Sequence, residues 1–429
     1  MVRSWENRET ANGCDVSDEV DSLREGISID GESLMGILAS LAGFGDLRPS
    51  GLDRVAFSDQ DLEARDWLDR RLEGLGLSVA RDAIGNSVAD LPGRNPELGW
   101  IAIGSHSDSV PSGGRYDGAL GIAAAVACVE AIREGRLELR HGLRVVNFEA
   151  EEATMGGATL GSRAATGQVD PEEMGYRAYD GESVRSHLAR AGLDPARASE
   201  AGGAGLNLVA FLELHIEQGP TLDQAGIPVG IVEGIAGIRR YEVDFRGTAN
   251  HAGTTPMLNR DDALVAASEF VAAVPDIAIR NSIVATVGTL RVHPGAPNVI
   301  PGQVEISLEC RSTTDDDLEA AEEELLDLGA ALKASFTKFP PKLPQPFSLR
   351  LIELLETLCS ESGIRAQRLW SGAGHDAGVM AQLTDAAMIF VPSRSGISHS
   401  GEEFTEPEDC RTGADLLLKA ILELDSAEV

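Results

Sequence analysis

The chain lacks any apolar run approaching the ~18–20 residues needed to cross a bilayer, which argues against a membrane-spanning helix. Its first residues, MVRSWENRETANGCDVSDEVDSLREG, lack the apolar core of a signal peptide, so no secretory leader is expected. Residues 1–26 read as a polar, flexible extension, and the expected location is the cytoplasm. Cysteine is scarce. Cys14, Cys128, Cys310, Cys359 and Cys410 are odd in number and scattered, with no CxxC pair, which excludes a disulfide framework or a thiolate zinc site. Positive charge is short as well: 36 Lys and Arg face 69 Asp and Glu, a formal net charge of −33. Nucleic acid is therefore excluded as a partner, since phosphate contacts need clustered cations. The excess acid reads as a solubility device. No internal repeat or low-complexity tract is found.

What remains is the composition of a soluble globular protein, 43% hydrophobic and 24% charged. At 429 residues the chain is too long for one ordinary core, so two domains are expected. Helical patterning covers Gly31–Ala42 and Asp59–Leu77, the second after the N-cap candidate Ser58. Apolar strands follow at GWIAIGSH, GLRVVNFEAEE and LVAFLELHIEQGP, with a small-residue helix, GALGIAAAVACVEAIREG, between the first two. That alternation predicts an α/β domain with a mixed, largely parallel sheet flanked by helices.

From about Gly230 the pattern changes. IRRYEVDFRGTANHAG alternates like a half-exposed antiparallel strand. A helix, the strands SIVATVGTLRV and QVEISLECRS, and a helix expected over Asp315–Phe336 come next. They describe an inserted α+β, ferredoxin-like unit. The Pro-rich FTKFPPKLPQPF reads as the return linker, and AMIFVPS and CRTGADLLLKAILEL as a further strand and the last helix. The expected division is a catalytic domain in two parts, 27–230 and 341–429, carrying a lid or dimerisation domain at 231–340.

Sites in open α/β sheets lie beyond the carboxyl ends of the strands. Four such ends here carry His, Asp or Glu beside glycine. The first gives His106 and Asp108, two apart and so on one side of an extended chain, then Asp117 after Gly113 and Gly114, which let the loop fold back. The second gives Glu151 and Glu152, the third His215 on the same face as Glu213 and Glu217, the fourth His399. Glu149, close to the pair, reads as a solvated or first-turn acid. His141, His187 and His293 have no acidic constellation and read as structural.

Imidazole and carboxylate without thiolate suit Zn, Mn, Co or Ni. Two divalent ions relieve the repulsion among the acids. A bridging carboxylate, most simply Asp117, would hold them ~3.5–4 Å apart around a water whose pKa falls towards ~7. One glutamate of the pair would bind metal and the other move the proton.

In order along the chain, GSHSDSVPSGGRYDG, EAEEATMGGATLGSR, ELHIEQGP, ANHAGTTPM, PNVIPG, SGAGHDA and VPSRSGISHSGEE resemble the hydantoinase/carbamoylase family of amidohydrolases, within the wider group of dinuclear-metal aminoacylases and peptidases. The likeness runs from roughly Ile27 to the C-terminus and includes RVAFSDQDLEARDWL. It implies His106, Asp117 and His215 around one metal, and Asp117, Glu152 and His399 around the other. It implies Glu151 as general base and acid, and Asp108 as the residue orienting His106. His251 would polarise the scissile carbonyl across a homodimer formed through the lid. Gln218, Asn298, Arg311, Gly372, Gly374 and His375 would bind a small carboxylate-bearing substrate, with Arg311 forked onto the carboxylate. The implied reaction cleaves an N-carbamoyl amino acid to amino acid, ammonia and CO2. An N-acyl amino acid amidase or dipeptidase on the same site is the alternative, and a non-catalytic binding scaffold a remote one. Met155, Gly156, Ser107, Ser109 and Gly378 depart from the family's usual residues near the pocket, which touches substrate identity.

Overall fold

The computed structural model describes residues 26–45, 48, 50–202 and 207–426, so all but the last residue of the expected N-terminal extension lies outside the described residues. A nine-stranded sheet is built from β1 (Ser78–Arg81), β2 (Ser87–Leu91), β3 (Trp100–His106), β4 (Gly142–Phe148), β5 (Leu208–Ile216) and β6 (Val229–Ile235), joined later in the chain by β11, β12 and β13. Between them come the four strands of a second sheet: β7 (Gly237–Arg246), β8 (Val284–His293), β9 (Gln303–Ser312) and β10 (Ala334–Lys338). The returning strands are β11 (Gln345–Pro346), β12 (Ala366–Ser371) and β13 (Ala386–Val391).

The large sheet has the order β1-β2-β4-β3-β5-β13-β6-β11, with β12 also on β6. Its centre, β4-β3-β5-β13, is parallel throughout, while β2 and β6 run antiparallel to their central neighbours. β13, Ala-Ala-Met-Ile-Phe-Val, is buried along its whole length, the continuous apolar run expected of a strand covered on both faces. Helices Pro407–Ser426 and Asp376–Met380 pack on this strand, while helix Ala119–Glu134 lies on β3, β4 and β5 through small residues from Ala119 to Val129 that let it lie close.

The second sheet is antiparallel, in the order β10-β7-β9-β8. Helix Ala263–Arg280 joins β7 to β8, and helix Asp315–Ala331 joins β9 to β10, giving the βαββαβ order of a ferredoxin-like unit. β9 alternates buried and half-buried residues, so one face packs Val304, Ile306 and Leu308 against Phe270 and Leu325 of the helices.

Three expectations are corrected. β6 pairs with β12 and β13, so the change of sheet falls between Ile235 and Gly237, beyond the boundary placed at 230/231. The second insert helix ends at Ala331, short of Phe336, because Lys333 takes a left-handed backbone (φ 60°) and the chain turns into β10. Phe336 then pairs opposite Val243 and packs edge-on to Tyr241 and Phe270. The Pro-rich return is likewise partly strand: it begins in β10 and ends in β11.

Candidate metal centre and active-site cavity

The parallel core aims four loops at one place. His106 closes β3, Glu151 and Glu152 follow β4, His215 lies one residue from the end of β5, and His399 follows β13. Asp117 sits among them, 5% exposed. Its Oδ1 lies 3.1 Å from His215 Nε2 and 3.7 Å from His106 Nε2. Its Oδ2 lies 3.2 Å from His399 Nε2 and accepts hydrogen bonds from Gln218 Nε2 (2.7 Å) and Ser398 Oγ (3.1 Å). Glu152 Oε1 is 3.4 Å from His399 Nε2. Two donor groups result, His106–Asp117–His215 and Asp117–Glu152–His399, each with ligand atoms within 4.8 Å of one another and both sharing Asp117. A third group, Glu213–His215–His375, overlaps the first.

Buried carboxylates fix the backbone that carries these donors. Asp108, 3.5 Å from His106 Nδ1, accepts the N–H groups of Glu151 (3.2 Å) and Glu152 (3.3 Å), tying the first loop to the second. Glu403 accepts the N–H groups of Tyr116 (2.8 Å) and Asp117 (3.1 Å) and the hydroxyl of Ser398 (2.9 Å), tying the first loop to the fourth. The loop glycines serve this closeness. A Cβ on Gly114 would lie 1.9 Å from the Glu403 carboxylate, and one on Gly118 (φ 62°) would lie 2.4 Å from the His106 ring. Gly113 and Gly114 do not take positive φ; in that loop Ser112 and Gly118 do.

Glu149 is not a solvated acid. It is 1% exposed and pairs with Arg65 at 2.8 Å. Arg65, itself fully buried, also pairs with Asp61 at 3.3 Å and donates to the carbonyls of Asn147 and Phe148 at the end of β4. Asn86 Oδ1 accepts the Glu149 N–H at 2.8 Å. Burial pushes the Glu149 carboxyl well above its ordinary range, against the pull of Arg65. Removing the guanidinium strands two buried acids, so Arg65→Met is expected to cost about 3–5 kcal/mol of stability, read by urea denaturation. A loss below about 1 kcal/mol, the scale of a surface pair, would show that the cluster is not holding this end of the sheet.

The titrating groups of the centre are strongly mutual. Burial alone would raise the Asp117 carboxyl, yet the hydrogen bonds and charges of His215 and His399 hold it well below the ordinary range. Burial pushes Glu151 well above it, with Asp376, Glu152 and Asp108 adding to that and His106 opposing. Burial and the Asp117 charge take Glu152 to about 7. The hydrogen bond to Asp117 takes His399 to about 9. His375 goes the other way, lowered by burial and by His215, whose ring it meets at 4.4 Å. Such a set shares protons among acids and imidazoles, and cations that bind it displace those protons.

The centre opens into a cavity of about 240 Å³. Asp117, Glu151, Glu152, His215 and His399 line one side, with Gln218, Gly374 and His375 beside them. The insert adds Ile238, Arg240 and Arg311. Arg311 bonds the Gly372 carbonyl and pairs with Glu309. His251 and Asn298 are exposed and outside this lining; they adjoin each other, with Ala252 N–H donating to the Asn298 carbonyl. Sequence reasoning assigned no role to Glu403, Arg240 or Lys342, which reach the centre or its cavity, or to Arg65, which holds the end of β4 behind it. Only Glu213 left a signal, its alternation with His215: its carboxylate takes Ser105 Oγ and the Ala377 N–H, bracing β3 and the His375 loop.

Residues 102–423 match the sequence profile of peptidase family M20/M25/M40. The chain is 36% identical over 414 residues to the N-carbamoyl-L-amino acid amidohydrolase of Geobacillus stearothermophilus, covering 93% of this chain and 100% of that one. It is 30% identical over 423 residues to the ureidoglycolate hydrolase of Arabidopsis thaliana, covering 94% and 88%. A crystal structure of a hydantoinase/carbamoylase family amidase from Burkholderia multivorans superposes with a TM-score of 0.86 at 32% identity, over 94% of this chain and 100% of that one. With its parallel core, ferredoxin-like insert and ordered motifs, this chain belongs to the hydantoinase/carbamoylase amidases of peptidase family M20/M25/M40.

Proposed function

We propose that the chain hydrolyses the carbamoyl C–N bond of an N-carbamoyl amino acid, or of a related small ureido carboxylate, releasing amino acid, ammonia and CO2. The observation that carries this reading is Asp117, whose two oxygens each face a separate donor group. The donor set fits two divalent ions of the Zn, Mn, Co or Ni type: imidazole and carboxylate, no thiolate, ligand atoms already gathered. His106, Asp117 and His215 would hold one ion, and Asp117, Glu152 and His399 the other. When bound, such a pair supplies Lewis acidity at the scissile carbonyl and lowers the pKa of a water to about 7.

The chain's own groups do the rest. Glu151 stands at the cavity wall outside both donor groups, takes the proton of the attacking water at its carboxylate and returns it to the leaving nitrogen. Asp108 keeps His106 and the Glu pair in place through its three contacts. Gln218, Arg311 and the Gly372–Gly374 backbone orient the substrate. His251 and Asn298, exposed on the insert, serve the cavity of a second copy in a homodimer.

Metal-loaded protein is expected to release ammonia and free amino acid in equal amounts from N-carbamoyl amino acids. N-acetyl amino acids and dipeptides should turn over at least about tenfold more slowly, the scale of a mismatched substrate group. The reverse ranking would make the chain an acylase or dipeptidase on the same site. No turnover of either set under Mn, Co, Ni and Zn would point to a binding scaffold.

A further inference from the structure

The cavity at the metal centre continues into a second, larger one of about 420 Å³, and Ile238, Lys342, Gly374 and His375 line both. Gly378, where this chain departs from its family's usual residue, belongs to the second lining. A Cβ there would come within 2.8 Å of Ile235, so the glycine keeps the space open. The floor is buried and apolar, formed by Ile235, Ala236 and Val379. The walls carry two cations, Lys342 and Arg163, and no acid among the described residues.

The cations here outnumber their partners. Arg311, which orients the substrate through its α-carboxylate, shares Glu309 with Arg240. Arg163 is matched by Glu173. Lys342, at the junction of the two cavities, has no hydrogen-bond or ion-pair partner for its ammonium among the described residues. Two backbone bonds with Ile238, at 2.8 and 2.9 Å, fix its strap, and Pro341 and Pro344 stiffen it. Burial lowers the pKa of this ammonium, and the charges of Arg240, Arg163 and Arg311 lower it further, with Glu151 alone opposing. A single substrate carboxylate on Arg311 leaves Lys342 unmatched.

We propose that the second cavity receives an acidic substrate side chain, with Arg311 holding the α-carboxylate and Lys342 pairing with the side-chain carboxylate, so that N-carbamoyl glutamate and longer dicarboxylic homologues are the preferred substrates. This rests on the N-carbamoyl reading above. A leucine side chain covers the apolar floor but takes water from the ammonium and returns no partner. A glutamate side chain covers part of the floor with its two methylenes and adds a charge-assisted hydrogen bond at its tip. Aspartate, one methylene shorter, covers less of the floor.

The test begins with N-carbamoyl glutamate, glutamine and leucine on Mn-loaded enzyme. The glutamate derivative should exceed the other two at least about tenfold in kcat/KM. A glutamate derivative no better than its glutamine or leucine counterpart would overturn the proposal while leaving the N-carbamoyl reading intact; no turnover of any member would end both. Lys342→Met, at an exposed residue, should raise KM for the glutamate derivative about tenfold or more with kcat little changed, bringing the glutamate-to-glutamine ratio of kcat/KM towards one. Lys342→Arg should restore that ratio. Arg311→Met should raise KM for both derivatives and leave the ratio as it was, because the α-carboxylate is common to them. Independently of turnover, calorimetry on Mn-loaded protein should show glutarate binding about tenfold or more tighter than butanoate, with the difference lost in Lys342→Met. A ratio that survives Lys342→Met, or one that Arg311→Met abolishes instead, would overturn the assignment of the second carboxylate to Lys342.

Discussion

Asp117→Asn is expected to empty the centre: bound metal should fall from about two ions per chain to below about one, and turnover of N-carbamoyl substrates should vanish. The reason lies in how the carboxylate is used. Both oxygens are acceptors, one towards His106 and His215, the other towards His399, Gln218 and Ser398. An amide keeps one oxygen and presents an N–H₂ on the other side. There it meets a donor, Gln218 Nε2, which sits 2.7 Å from the present oxygen, and an amide nitrogen cannot ligate a cation. The charge that offsets the surrounding imidazoles is lost as well. Far-ultraviolet circular dichroism should stay native, since Asp117 lies on a loop that Glu403 holds through backbone N–H groups alone. Metal analysis that still found two ions per chain would remove Asp117 as the bridge.

Much of this centre was legible because it depends on local periodicity. A period of two put His106 beside Asp108 and Glu213 beside His215, and continuous apolar runs marked β3, β5 and β13 as buried parallel strands. What was illegible depends on contacts far along the chain. Glu403 reaches Asp117 across 286 positions, and Glu213 reaches Ala377 across 164. Glu149 looked like a solvated acid because its partner, Arg65, sits in a helix far upstream in the chain. Lys342 lies among prolines that read as a linker, and two hydrogen bonds to Ile238 make that linker a cavity wall. The helix expected to reach Phe336 failed for a related reason. Asp315 to Phe336 keeps an acid-and-leucine pattern, but the edge of β7 offered Phe336 a ladder and two aromatic neighbours, and tertiary pairing overrode local pattern.

Glu151→Gln is expected to behave in the opposite way to Asp117→Asn, keeping its metal and losing its rate. Glu151 belongs to neither donor group around Asp117, and the nearest imidazole nitrogen, His106 Nε2, is 3.7 Å from its Oε2. The carboxylate is nearly buried, and burial together with the acids Asp376, Glu152 and Asp108 pushes it well above the ordinary range, with His106 opposing. A carboxylate whose surroundings raise its affinity for a proton is suited to take one from water and return it to a leaving nitrogen. Glutamine has the same shape but cannot accept the proton, so kcat should fall by about 10²–10⁴ with metal content unchanged. Wild-type activity in the variant would remove the assignment. The variant also tests the dimer. His251 is exposed and outside the cavity of its own chain, so a His251→Ala chain paired with a Glu151→Gln chain should rebuild one intact site per mixed dimer. Activity should then appear on mixing where neither parent has any. If the mixture stays as inactive as its parents, His251 does not complete the site of a partner, and the catalytic groups must all come from one chain.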